Sequence, residues 1–358
     1  MVFERMANRG HERVLFIQNR AAGLRAIIAL HNTTLGPALG GVRRWHYASE
    51  EDALEDVLRL SEAMTYKAAV SHLPMGGGKS VILLDAARAE PRETAAKAMG
   101  RAVETLRGDY IAAEDVGVDE QYMDWIGEET QYVMGGEKKS RGGDPSPYTA
   151  RGVVNGMRAA MRFLQQEPIF KDKVVAIQGM GHVGWNVARI VIGEGAKVKA
   201  ADISPERLDQ AKQQLGVEVV NVDHILATPC DILCPCALGG VINGNNIADI
   251  QAPILCGAAN NVLDDPFEDS SALHARGVLY GPDFVVNAGG LIQLAGLWLQ
   301  YTQTQLDQKI ADIENTTLNI LDRGRTLGSN HAAAVDYARR VISGGIPHQP
   351  HSGAIHAG

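Results

Sequence analysis

The sequence predicts an α/β protein of two domains, the second a doubly wound parallel sheet, and three observations carry that prediction. At roughly 150 residues per domain, 358 residues make two domains, each long enough to close its own core. The stretch Gly142-Gly143-Asp144-Pro145-Ser146-Pro147 interrupts the periodic patterns with turn formers and reads as a hinge. Beyond it, short apolar runs alternate with helical periodicities, the trace that right-handed βαβ crossovers leave in a sequence. The expected boundaries are 1–143 for an N-terminal α/β domain and 144–331 for a C-terminal doubly wound one. A last helix, 332–358, is expected to pack back on the first domain.

The elements follow in order. Ala26–Leu30 is an apolar run of strand length, and Thr34–Val42 after it is dense in turn residues. Ser49, followed by Glu50, Glu51 and Asp52, is a strong helix start: a hydroxyl cap, then acids at the positive end of the helix dipole. Leu54, Val57, Leu58 and Met64 then recur close to a 3.6-residue period, and extending their face lands on Lys67. Gly76–Gly78 reads as a glycine loop that delivers Lys79 into the strand Ser80–Leu84. A helix over Glu93–Leu106 and a strand over Tyr110–Ala113, ending at Asp115, close the first half. The second half reads as helix Thr149–Leu164, strand Val174–Gln178, helix Val183–Glu194 and strand Val198–Ala201. Pro205–Leu215 is a helix with proline in its first turn. Asp231–Cys234 and Pro253–Cys256 are short buried strands, and helices run from Asn287 to about Ser343.

Composition removes several functional classes. Thirty-four basic against 42 acidic side chains give a net charge of −8 without a basic block, which argues against nucleic acid as the partner. No apolar run approaches the ~20 residues of a membrane span. Met1–Met6 lacks the charged-then-apolar layout of a secretory signal, so a cytoplasmic protein is expected. The four cysteines, Cys230, Cys234, Cys236 and Cys256, lie in one stretch whose spacing does not match paired zinc ligands. They read as reduced, mostly buried thiols at strand ends, and no metal is expected. His348, His351 and His356 fall in a Gly- and Pro-rich tail.

Two motifs carry chemistry. The first, Gly179-Met180-Gly181-His182-Val183-Gly184, follows the Val174–Gln178 strand and opens a helix. Its glycines permit a tight turn, backbone approach to a pyrophosphate and close helix–strand contact, and the helix start supplies free amides for the phosphates. Asp202 stands at the end of the next strand, where a carboxylate accepts the ribose hydroxyls of NAD and repels the 2′-phosphate of NADP. Strand before, helix after and acid at this distance make a nicotinamide dinucleotide, NAD, the expected cofactor.

The second motif is a lysine pair with a carboxylate. Gly78-Lys79 imitates a phosphate loop, but Walker A demands glycine five residues before the pair and position 73 is Leu73, so that reading fails. A single lysine on an apolar face is usually a stem lying on core with its amine in water. Lys67 and Lys79 together, with Asp115 at a strand end, suggest more. Two ammonium groups in a partly dry site favour each other's neutral forms, which brings one toward the pKa of a general base.

At these residues the sequence resembles the amino-acid dehydrogenases of the leucine, valine, phenylalanine and tryptophan group, relatives of glutamate dehydrogenase, and most of all their leucine-specific branch. The resemblance rests on Leu35–Arg43, Met64–Ala68, Gly76–Lys79, Ala113–Gly117, Gly257–Asn261 and Val286–Gly290, and covers nearly all the chain but the tail after about Gly345. It implies an N-terminal substrate and oligomerisation domain, a C-terminal Rossmann domain for NAD, a cleft between them that closes on substrate, and a homo-oligomer. It implies oxidative deamination of an L-amino acid to its 2-oxo acid and ammonia. By position, Lys67 would bind the substrate carboxylate, Lys79 would be the general base and Asp115 would assist proton transfer. Leu39, Gly40, Gly41, Met64, Ala112, Asn260, Leu291 and Leu294 would surround the substrate. The cofactor would be held by Thr149, Gly179, Gly181, His182, Val183, Gly184, Asp202, Cys236, Ala237, Ala258, Asn260 and Asn287. For Asn260 and Asn261 a turn role competes, since asparagine pairs favour turns. The apolar set offers no cation to a second carboxylate, which disfavours glutamate and suits Leu, Ile or Val. An aromatic substrate stays open, because apolar side chains differ by only ~1–3 kcal/mol per methylene. So does a non-catalytic NAD-binding regulator, which the retained Lys67, Lys79 and Asp115 argue against.

Overall fold

A computed structural model of the protein describes residues 1–85, 92–136, 143–237 and 239–346. Gly142 of the expected hinge and the histidines of the tail lie outside them. The chain divides into two compact units. One contains Met1–Gly143, Leu294–Tyr301 and the described residues from Val341 on; the other contains Asp144–Gln293 and Thr302–Arg340.

The first unit is built on α1 (Val2–Arg9), β1 (Arg13–Asn19), β2 (Leu24–Asn32), β3 (Ala38–Trp45), α2 (Glu50–Val70), β4 (Gly76–Leu83), α3 (Arg92–Glu104), β5 (Tyr110–Glu114) and α4 (Glu120–Gly127). Its five-stranded sheet runs β1-β2-β4-β3-β5, with β1, β2 and β4 antiparallel in turn and β3 parallel to both β4 and β5. Strand alternation divides the apolar side chains between two layers. Ile27, Ala29 and Val81 meet Leu54, Val57 and Leu58 of α2 on one face. Ile28, Leu30, Val42 and Tyr110 meet Met99 of α3 and Tyr122 of α4 on the other.

Two expectations change here. Gly76–Gly78 form no loop: they are the first residues of β4, and Lys79 stands inside the strand. The stretch read as turn-rich carries β3, with Gly40 and Gly41 in its middle. The reason is steric. A Cβ at Gly77 would lie 2.0 Å from the Thr65 nitrogen of α2, and one at Gly40 would lie 1.7 Å from the Gly78 carbonyl oxygen. These glycines are strand residues at which other backbone comes too close for any side chain.

Helix α2 starts as read, with Ser49 Oγ accepting the Asp52 amide at 3.1 Å. Its buried stripe continues through Ser61, Thr65 and Ala68 rather than Met64, which is half-buried. Small polar residues suit the stripe because histidines satisfy them. His11 Nε2 lies 2.9 Å from Ser61 Oγ, and His31 Nδ1 lies 2.8 Å from Thr65 Oγ1. The two imidazoles stack edge-on at 4.8 Å.

The second unit contains α5 (Ser146–Phe163), β6 (Val174–Gln178), α6 (His182–Gly193), β7 (Lys197–Ala201), α7 (Pro205–Leu215), β8 (Glu218–Val219), β9 (Ile232–Pro235), β10 (Ile254–Leu255), α8 (Pro266–Ala275), β11 (Leu279–Tyr280) and α9 (Asp283–Val286). Then come α10 (Gly289–Trp298), which begins in this unit, α11 (Gln303–Leu327) and α12 (Asn330–Ile342), which lies in it as far as Arg340. The sheet is all parallel, in the order β11-β10-β9-β6-β7-β8. The chain leaves β6 toward β7 and β8, then returns to β9 on the other side. The turns after β6 and β9 therefore flank the point where strand order reverses, the place where open α/β sheets bind ligands. Val175 and Ile177 pack against α5 and α6, and Ala176 faces the opposite layer with Leu233 and Leu255.

Burial, and then the charge of His31, lower the His11 pKa from 6.5 to about 4. A histidine depressed in the folded state stabilises it above the unfolded pKa and loses that contribution as pH falls from about 6.5 toward 4. The expected loss is on the order of 2–3 kcal/mol. Denaturant unfolding of the first unit's signal at pH 7 and pH 4.5 should show that His11→Gln, although weaker at neutral pH, loses less stability on acidification than the parent. Equal losses would remove His11 as the acid-sensitive group.

Candidate active site

In the first unit the glycines of β3 and β4 bring three charged groups to one spot. Lys79 lies on the α2 face of the sheet and is 5% exposed. Its Nζ is 3.0 Å from Oδ2 of Asp115, which follows β5 directly. Arg43 of β3 donates from Nε to that same oxygen at 2.9 Å, and its Nη1 donates to Asp56 of α2 at 3.0 Å. Asp56 also accepts from the Tyr47 hydroxyl at 2.8 Å and from Arg59 at 3.0 Å. Gly41 makes room for the cluster: a Cβ there would lie 2.6 Å from the Asp115 Cβ and 3.0 Å from the Lys79 amine. On the opposite face Tyr110 secures the strand pair, its hydroxyl donating to the Gly40 carbonyl at 2.8 Å and lying 3.1 Å from Ser80 Oγ.

Burial is the largest influence on Lys79 and lowers its pKa; Asp115 opposes that, and Arg43 is the leading like charge. For Asp115 burial alone would raise the pKa, but Lys79 and then Arg43 outweigh it, so the carboxyl ends below its ordinary range. Burial and Arg43 thus favour the neutral amine of Lys79, an arginine that sequence reasoning had not counted. Lys67 is half-buried in the last turn of α2, two residues beyond the Thr65 that abuts Gly77.

The expected substrate residues are placed as follows. Leu39 is buried on β3 beside Gly77 of β4. Ala112 pairs with Gly40 and is buried in the layer of α3 and α4, on the face away from Lys79. Its neighbour Ala113 pairs with Gly41 and is the alanine on the lysine side. Leu291, buried, and Leu294, half-buried, stand one turn apart on α10. Sequence reasoning gave no role to Arg43, Asp56 or Tyr47. The signal was the two-residue spacing of Leu39, Gly41 and Arg43, visible only if that stretch is read as a strand.

In the second unit Gly179, Gly181, Asp202, Cys236 and Ala237 line one cavity of about 410 Å³, together with Gln178, Ile203, Arg207 and Val241. Gly179 takes φ +97°, and a Cβ on it would lie 2.8 Å from the Ala237 side chain. Gly184 lets α6 approach the turn: its Cβ would lie 2.0 Å from the Gly179 carbonyl oxygen. At Gly181 a Cβ would meet nothing within 4 Å, so the glycine leaves open space at the helix start. Asp202 is held at the turn, accepting from the Met180 amide at 2.6 Å and the Ser204 amide at 2.8 Å. His182 and Val183 begin α6 but do not line this cavity.

The remaining cofactor residues form a second group. Asn287 donates to the Asn260 side chain at 2.8 Å and the Ala258 carbonyl at 3.1 Å. Asn260 and Asn261 both lie in a turn, with Asn261 at φ +50°, the role that competed for the pair in the sequence. The Thr149 hydroxyl donates to the Pro145 carbonyl at 3.1 Å, and a side chain at Gly290 would crowd that hydroxyl at 2.7 Å. All four cysteines are free thiols, with Cys234 and Cys236 sulfurs 3.5 Å apart. Among the described residues no histidine, cysteine or acid cluster is arranged to hold a metal ion, and no helix is long and apolar enough to cross a membrane.

Comparison with known proteins agrees over both units. The Glu/Leu/Phe/Val dehydrogenase dimerisation domain matches residues 11–132, and the glutamate/leucine/phenylalanine/valine dehydrogenase domain matches residues 143–205 and 201–323. Leucine dehydrogenase of Thermoactinomyces intermedius is 42% identical over 94% of this chain and 91% of its own. L-tryptophan dehydrogenase of Nostoc punctiforme is 39% identical over 93% of this chain and 94% of its own. The crystal structure of L-tryptophan dehydrogenase from Nostoc punctiforme aligns with a TM-score of 0.86 at 37% identity, covering 96% of this chain and 99% of that one.

The glycine turn separates folding from binding. Gly181→Ala should leave the melting temperature unchanged and weaken nicotinamide-dinucleotide binding at least tenfold, read by calorimetry. Gly184→Ala should lower stability by ~3 kcal/mol or more, because backbone must move. A Gly181→Ala protein that binds the dinucleotide normally would remove the turn as the phosphate cradle.

Proposed function

We propose, on the premise that this chain belongs to the glutamate/leucine/phenylalanine/valine dehydrogenase family and is an amino-acid dehydrogenase, that it deaminates an aliphatic L-amino acid of the leucine type with NAD. The observation that carries the reading is the buried Lys79 on the Asp115 carboxylate, a lysine whose proton is held loosely. The glycine turn, the open space at Gly181 and the Asp202 carboxylate fit a nicotinamide dinucleotide. Asp202 favours NAD over NADP by repulsion of a 2′-phosphate.

When bound, the nicotinamide supplies a hydride acceptor for the substrate Cα. The chain's residues do the rest. Lys67 pairs with the substrate carboxylate. Neutral Lys79 takes a proton from water as that water adds to the substrate iminium, and Asp115 assists the transfer. The carbinolamine then collapses to 2-oxo acid and ammonia. Leu39, Leu291 and Leu294 are apolar and carry no charge for a second carboxylate, which supports an aliphatic side chain over glutamate. Assembly as a homo-oligomer belongs to the same proposal, supported by the description of the matching first domain as a dimerisation domain.

A panel of L-amino acids with NAD and NADP decides the assignment. NADH formation should be fastest with leucine, isoleucine or valine, and NADP should be poor. Lys79→Ala should lower kcat by 10²–10⁴ while NAD binding persists. Because the base must be neutral, the deamination rate should rise with pH and level off below 10.5, the ordinary lysine value. Fastest turnover with tryptophan or phenylalanine would transfer the assignment to the aromatic branch, and full activity in Lys79→Ala would end the role given to that lysine.

A further inference from the structure

A buried base has a difficulty that the lysine and the aspartate alone do not solve. If Lys79 gives up its proton while Asp115 is its sole counter-charge, a largely buried carboxylate is left uncompensated, which is costly. The pair would hold its proton on the lysine, and a protonated lysine is no base. The structure contains the missing charge. Arg43 Nε reaches the same Asp115 oxygen as Lys79 does, at 2.9 Å against 3.0 Å. Guanidinium cannot be deprotonated in a protein, so this charge is present whatever Lys79 does.

Arg43 is itself held from its other side. Its Nη1 donates to Asp56 at 3.0 Å, and Tyr47 and Arg59 complete the hydrogen bonds of that carboxylate. The charges alternate from Lys79 through Asp115, Arg43 and Asp56 to Arg59. The inner four side chains are mostly buried, from 6% exposed at Lys79 to 23% at Arg43, and only Arg59 at the outer end is largely open, at 47%. The groups that act on Lys79 are Asp115 after β5, Arg43 on β3 and Asp56 on α2. The elements packed against β4 also carry Lys67 on α2 and His31 on β2, the latter bonded to Thr65, with Tyr110 behind Ser80.

We propose that Arg43 is a positioning residue for the deamination reaction: it keeps Asp115 ionised and in place as a permanent partner, so that Lys79 can exist as a neutral amine without stranding a buried carboxylate. The inference rests on the proposed general-base role of Lys79 and adds to it a residue that touches no reacting atom. Arg43 acts through the carboxylate it shares.

The test reads the Lys79 amine with and without turnover. In the full-length protein, the rate at which acetic anhydride acetylates Lys79 is followed against pH by peptide mass spectrometry, which needs neither substrate nor cofactor. Arg43→Gln should move the Lys79 titration upward by about one pH unit or more. The acid limb of the deamination pH profile should move by the same amount, a roughly tenfold loss on that limb that high pH restores. Arg43→Lys, which keeps a charge but not the fork, should recover part of both shifts. If Arg43→Gln does not fold, Asp56→Asn answers from the other end: it removes a negative charge that holds the proton on Lys79, so the titration must move down. An unmoved Lys79 titration in Arg43→Gln, or an upward or absent shift in Asp56→Asn, overturns the inference. So does a rate loss equal at every pH, since a merely structural role would give that. A parent protein that deaminates nothing overturns the proposed function instead, and the acetylation titration still decides the role of Arg43.

Discussion

One carboxylate oxygen accepts from two cations, and the chemistry proposed for the first unit depends on that shared bond. Asp115 Oδ2 meets the Lys79 amine and the Arg43 guanidinium at nearly equal distance. In the proposed mechanism the lysine is the group that changes charge, and the arginine is the group that cannot. Burial pushes Lys79 toward its neutral form, while the aspartate resists. The proposed base depends on how close those tendencies come to balance.

The sheet is shaped around that balance. Strands β3 and β4 carry glycines where helix α2, Asp115 and the neighbouring strands come closest. A side chain at Gly77 would strike the backbone of α2, one at Gly40 would strike β4, and one at Gly41 would occupy the space of the ion pair. Helix α2 is anchored in that tight seat by Ser61 and Thr65, whose hydroxyls meet His11 and His31. The anchoring polar pairs and the charge cluster thus lie on one helix–sheet interface. The candidate cofactor site of the second unit is built differently, with an open glycine at Gly181 and a fixed acid at Asp202 in place of a buried charge network.

Much of this was legible in the sequence. Regular alternation exposed the parallel sheet, because each buried strand there is a short apolar run between helical repeats, and Val174–Gln178 falls where the pattern puts it. The placement of Gly179, Gly181, Gly184 and Asp202 could be read because it is local, fixed by backbone within one stretch of strand, turn and helix. The glycines of the first unit could not. Local chemistry calls glycine a turn former, whereas Gly40, Gly41, Gly76, Gly77 and Gly78 are strand residues shaped by what crosses over them. That misreading hid β3, and with it Arg43 and the choice between Ala112 and Ala113. Asp56 gave no signal, since one more acid on a charged helix surface looks solvated until the partner strand is known.

The most direct measurement follows the ammonium of Lys79 itself. Nitrogen-15 resonances of lysine side chains, with Lys79 assigned from the spectrum of Lys79→Arg, report the charge of that one group across pH. Loss of the proton from the resonance assigned to Lys79 well below 10.5 is the expected result. A Lys79 that stays charged up to or beyond 10.5 would contradict the role of the shared carboxylate and of the base built on it.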